Sequence, residues 1–160
     1  MQPGEQERII HSTDELPTLW LAEIRRSVEE KRLASMLELD NVRAYSFHQN
    51  RILLKLQFEG PMVSSHIYLS KGRTLEQAHF AALEPSGEFS VSSRLGLVDV
   101  DAKNERLAST VCSDAPPYGC GRSTYRYNGL TFLIEKVEGK IEPSGAWIPV
   151  WTATLIVPPK

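Results

Sequence analysis

Two cysteines, Cys112 and Cys120, bracket the segment C-S-D-A-P-P-Y-G-C. Seven residues between them are too many for a zinc knuckle or a thioredoxin-like redox pair, and no histidine is near in sequence. The spacing suits a disulfide-closed loop. Pro116 and Pro117 stiffen it and Gly119 allows a sharp return, so the two Cα atoms can approach to about 5.5 Å. Closing so short a loop contributes at most about 2.5 kcal/mol on the chain-entropy model. Such a bond shapes a surface loop more than it holds a fold. The alternative is two unpaired thiols, and the compartment follows the choice: periplasmic or secreted if the pair is oxidised, cytoplasmic if it is not.

Asp114 and Tyr118 within this loop, with Arg122 just beyond it, are the candidate partner-binding residues. A stiffened loop presenting a carboxylate, an aromatic ring and a guanidinium suits insertion into a cleft of another protein, because preorganisation lowers the ordering cost of binding. The plainer alternative is a polar hairpin tip. Aromatic residues further on offer a second site. Trp147 and Trp151 lie four apart, hence on one face of a regular strand. With Tyr125 and Tyr127 they could wall an apolar, aromatic-lined cleft between sheet and helix. Packing in the core against the helix that carries Trp20 is the plainer reading of the two tryptophans.

Other chemistry fails on named residues. His48 and His66 could face each other across adjacent strands, but no carboxylate or cysteine stands at ligand spacing beside them. His79 follows Glu76 in the wrong order for H-E-x-x-H. Asp99 and Asp101 suggest a calcium loop, yet Asn104 stands where an EF-hand needs glycine and Thr110 where it needs glutamate. No phosphate-binding glycine loop or G-x-S-x-G elbow is present. No catalytic residue, metal ligand or cofactor is assigned, and the reading leans away from an enzyme.

The elements that must position these residues follow from periodicity. Asp14 can cap a helix over 14–37, with Pro17 in its first turn and Trp20, Ile24 and Val28 on one face. Residues 1–11 read as a loose arm. At residue 42 the period changes to two: Ile52, Leu54, Leu56 and Phe58 alternate with Leu53, Lys55 and Gln57, which predicts a strand with one face in the core. Flanking segments make it a meander over 42–70. Thr74–Leu83 carries capping-box spacing and predicts a short helix. Phe89–Val100 is extended, with a bulge expected at Gly96. Asn128-Gly129 joins two further strands in a hairpin. Pro149 places the last strand, 146–157, at an edge or a bulge. The sum is one α+β domain over residues 1–160: a mostly antiparallel sheet of about six or seven strands against a long N-terminal helix and one short helix.

Composition agrees with a folded chain: 41% apolar and 24% charged residues, with a net charge of −2. That charge disfavours phosphate-directed nucleic-acid binding. No run reaches the roughly 20 apolar residues of a membrane span, and the first 15 residues lack a signal-peptide pattern. Part of the C-terminal half resembles small bacterial inhibitor and immunity proteins in general style, without a motif that identifies a family. The resulting expectation is a non-enzymatic domain of that type, binding another protein through residues 112–122. A small-molecule-binding domain, or an enzyme of unassigned chemistry, is the alternative. Self-association through the C-terminal strand is a further possibility.

Overall fold

The computed structural model describes residues 7–113, 119–142 and 145–153. Its helices and strands form three layers. Two short helices, α1 (Thr18–Arg25) and α2 (Glu30–Glu38), cover one face of a central six-stranded antiparallel sheet. That sheet contains β1 (Glu7–Ile9), β2 (Val42–Phe47), β3 (Arg51–Phe58), β4 (Ser64–Lys71) and β5 (Thr74–Gln77) in sequence order, with β8 (Arg94–Leu95) also paired to β4. Its other face meets a five-stranded antiparallel sheet, ordered β13 (Ile148–Thr152), β12 (Phe132–Lys140), β11 (Cys120–Tyr127), β10 (Arg106–Cys112) and β9 (Leu97–Asp101). A separate hairpin of β6 (Phe80–Leu83) and β7 (Phe89–Ser92) packs at the side.

The mostly antiparallel architecture with helices is as the sequence predicts; the long helix is not, and neither is a single sheet of six or seven strands, since thirteen strands in three sheets occur among the described residues. A 3₁₀ turn (Thr13–Glu15) precedes α1, and the chain is extended at Glu29, between α1 and α2. Two short helices can each lay apolar side chains on a twisted sheet that one straight helix would leave. Ile24 and Val28 before the break, and Leu33, Met36 and Leu37 after it, all reach the same core. Ser27 Oγ, at the break, is 2.8 Å from the Tyr68 hydroxyl of β4. After α2, Asp40 adopts φ 59° and Asn41 N–H donates to Met36 O at 2.8 Å, a left-handed helix stop.

The second predicted helix, Thr74–Leu83, is two strands, β5 and β6. Thr74 Oγ1 donates to Lys71 O at 2.9 Å, so it serves a hairpin turn and caps no helix. Leu75 belongs to the helix-side core and Phe80 to the inter-sheet core, and an extended chain can deliver both. Residues 7–9, expected to be loose, form the edge strand β1.

β3 has both faces covered, because its sheet is the middle layer. Leu54 and Leu56 point to the helices; Leu53 and Lys55 point to the second sheet. At Gly96 the chain does more than bulge: it leaves β8 in the central sheet and enters β9 in the outer one. A Cβ there would lie 2.4 Å from Thr110 O and 2.6 Å from Val111 Cγ2, so only glycine allows the crossing. The Asn128-Gly129 hairpin uses a longer connection, with β11 ending at Tyr127 and β12 starting at Phe132. Asn128 Oδ1 accepts from the N–H groups of Leu130 and Thr131, at 2.9 and 2.8 Å, and Gly129 takes φ 97°. Pro149 lies on an edge strand and beside a register shift, as its missing N–H requires.

Candidate functional site

The β10–β11 hairpin ends in a disulfide. Cys112 and Cys120 are directly opposite in the ladder, with Cα atoms 4.0 Å apart, and are bonded to each other. Ser113 N–H donates to Gly119 O at 2.8 Å, one step beyond the bond. Asp114 and Tyr118 lie outside the described residues. Arg122 lies two residues along β11, on the solvent-facing side of the outer sheet, opposite the face that carries Tyr125 and Tyr127.

Strand alternation builds the surroundings of Arg122. Its register partner on β12 is Glu138, and Lys136 and Lys140 flank Glu138 two residues to either side. Glu138 Oε1 accepts from Arg122 Nε and Nη2 at 3.2 and 3.1 Å, and Lys136 Nζ is 3.6 Å away. The Trp147 ring lies against both neighbouring cations: the Arg122 guanidinium is 4.3 Å and Lys140 Nζ 4.6 Å from its centroid. Arg122 and Lys136 thus share one carboxylate at this end of the sheet, with Lys140 on the Trp147 ring beside them. Next to them is an apolar hollow of about 530 Å³ lined by Cys120, Lys140, Ile141, Ile148 and Val150 among others. Ile141, Ile148 and Val150 are 78%, 58% and 64% exposed.

Trp151 and the two tyrosines are elsewhere. Tyr125 and Tyr127 are buried in the inter-sheet core, where Tyr125 OH donates to Ala81 O at 2.7 Å and Tyr127 stacks among Phe47, His48 and Phe132. Trp151 meets Phe89 of β7 edge-on. The shifted register of β13 against β12 separates Trp147 from Trp151, although four residues would put them on one face of an unbroken strand. Trp20 packs on the helix side of the central sheet, two layers away from both. The helix–sheet interface is a filled apolar core. The cleft that does occur, of about 470 Å³, opens between the two sheets at the disulfide end, and Tyr125 is the aromatic residue in its lining.

One pairing had no sequence signal. His48 Nδ1 is 2.6 Å from Glu105 Oε1, joining residues 57 apart in the chain. Glu105, Gln49 and Asn50 all have positive φ, so tight turns from the two sheets meet at this point. Arg51 donates to the Tyr127 hydroxyl beside it. This group fastens the sheets together. His66 is separate: it hydrogen-bonds Gln77 at 2.6 Å and meets the Phe58 ring edge-on. Burial pushes its imidazole pKa down, with Arg94 and Arg32 adding to the effect.

Among the described residues no cluster of three or more histidine, cysteine, aspartate or glutamate side chains could hold a metal ion, and no helix is long and apolar enough to cross a membrane. Compared with protein-family models, curated proteins and solved structures, the chain matches none.

Proposed function

We propose that this is a non-enzymatic protein-binding domain of the inhibitor or immunity type, which engages an acidic partner protein through the 112–122 hairpin and the surface beside it. The observation that carries the reading is the Trp147 ring held against Arg122 and Lys140 at the rim of an exposed apolar hollow. Tryptophan and arginine dominate binding energy where they are packed and can be desolvated, and an apolar centre with a charged rim is the usual anatomy of a specific interface. The disulfide limits the freedom of the hairpin before binding, which reduces the ordering cost. Asp114 and Tyr118 complete the contact in this reading.

The occupant is another protein and not a second copy. A two-fold contact through this patch would set Arg122 and Lys136, which already share Glu138, against their own copies. The bonded Cys112–Cys120 pair supports a periplasmic or secreted working compartment in this reading.

The test is retention on the immobilised protein, with bound species identified by mass. An acidic protein held in equimolar amount, released by moderate salt and lost on Trp147→Ala or Arg122→Glu, is the expected result. A concentration-dependent dimer in sedimentation that Ile148→Asp abolishes would instead assign the surface to self-association. A second reading, a small-molecule-binding domain, is favoured by the cleft between the sheets.

A further inference from the structure

The two sheets part at the disulfide end because their facing side chains become small. On the inner face of the outer sheet, Tyr125, Ser123 and Gly121 succeed one another along β11, with Ser109 and Val111 beside them on β10. Bulk falls toward the hairpin and the central sheet does not fill the space. The resulting cleft of about 470 Å³ is within the range of small-molecule sites. Val63, Leu83, Val111 and Val137 give it apolar walls.

Its polar groups are one-sided. The lining contains two arginines and no carboxylate. Arg122 is committed to Glu138 and Trp147 on the opposite face of the sheet. Arg94, exposed on the short strand β8, has no carboxylate within ion-pair distance of its guanidinium among the described residues. Deeper in, Ser109 is 6% exposed; its Oγ accepts from Gly96 N–H at 2.9 Å, and no acceptor for its own proton occurs among the described residues. A guanidinium and a buried hydroxyl, both with donors to spare, line one apolar cleft. An anion can accept from such donors, and a cation cannot.

We propose that this cleft binds a small organic anion with an apolar body, a carboxylate on an aliphatic chain, its charged head at Arg94 and its chain against Leu83, Val111 and Val137. The proposal rests on the second reading above and is independent of the hairpin surface. Specificity comes from the headgroup, since the apolar walls accept any chain of suitable width.

Decanoate and decanol, titrated against the intact protein and followed by amide chemical shifts, separate the possibilities. Decanoate is expected to bind with shifts clustered at residues 94–96, 109–111 and 121–125, and decanol about tenfold more weakly. Arg94→Gln is expected to remove that tenfold preference. Gly121→Val is expected to abolish binding of both, because a Cβ at Gly121 meets no atom within 4 Å and the added methyls occupy only cleft space. Equal affinity for the two ligands in the wild type overturns the anion assignment while leaving a small-molecule cleft. Absence of binding, or decanoate affinity unchanged by Gly121→Val, overturns both. Unchanged amide dispersion in the two variants shows that neither loss comes from unfolding.

Discussion

Lys55, on the central sheet, extends its ammonium across the inter-sheet layer and donates to the Val98 carbonyl of the outer sheet at 3.1 Å. The residue is 8% exposed, and its ammonium lies 5.9 Å from the centroid of the Tyr45 ring. Burial, then the nearby Arg43 charge, holds its pKa below the usual lysine value. This polar tie joins two apolar sheet faces by a directed bond, as His48–Glu105 and Arg51–Tyr127 do elsewhere.

Truncating that residue removes both the tie and its packing. Lys55→Ala is expected to cost about 2 kcal/mol in urea unfolding, from a lost charge-assisted hydrogen bond and lost stem contacts. Lys55→Met keeps the volume and is expected to recover more than half of the loss. A Lys55→Met protein as unstable as Lys55→Ala would show that the ammonium, and not the stem, carries the effect.

Gly96 is the position least tolerant of a methyl group. Alanine there overlaps backbone atoms of β10, and the crossing between sheets has no room to shift. Gly96→Ala is expected to destabilise by roughly 3 kcal/mol or more. Gly121→Ala, with nothing near its Cβ, is expected to stay within about 0.5 kcal/mol of wild type. Thermal unfolding of the pair checks the contrast.

Opening the disulfide should leave the fold standing. Replacing Cys112 and Cys120 together by serine is expected to cost at most about 2.5 kcal/mol, the loop-closure term for so short a loop. The β10–β11 ladder continues to Arg106–Arg126 without it. A single cooperative transition at lower urea concentration is the expected result. Loss of cooperativity would mean that the bond organises more than its hairpin.

His66 gives stability a pH dependence of known sign. Its pKa is lowered in the folded protein from an ordinary value near 6.5, so the unfolded chain binds the proton more readily. Its contribution is fully present above about pH 6.5 and is lost as pH falls below it. The melting temperature is expected to fall between pH 7.5 and 5.5, and the fall to flatten in His66→Gln. An equally steep decline in that variant would assign the dependence to other groups.

Local signals in the chain were reliable where a tertiary contact did not compete with them. The alternation at 42–58 and the edge position of Pro149 follow from steric rules that act over a few residues, and each is legible in the sequence. The Cys112–Cys120 bond is likewise local, since a hairpin brings residues at that spacing opposite each other. Capping-box spacing at Thr74–Gln77 failed because Leu75 and Phe80 belong to cores on opposite sides of a sheet. The uninterrupted 14–37 helix failed for a related reason: sheet twist, which no single helix encodes, decides where apolar side chains can land.

What only the tertiary structure decided is the layering. Lys55 reads as the solvent-facing member of an alternating strand until a second sheet covers it, and burial of that second face depends on residues 40 or more positions away. The same holds for the functional surfaces. Arg122, Glu138 and Trp147 meet because β11, β12 and the turn before β13 are adjacent in space, and the cleft exists because small residues on one sheet face a gap in another. Periodicity reports which way a side chain points; what stands opposite it is a long-range property of the packed chain.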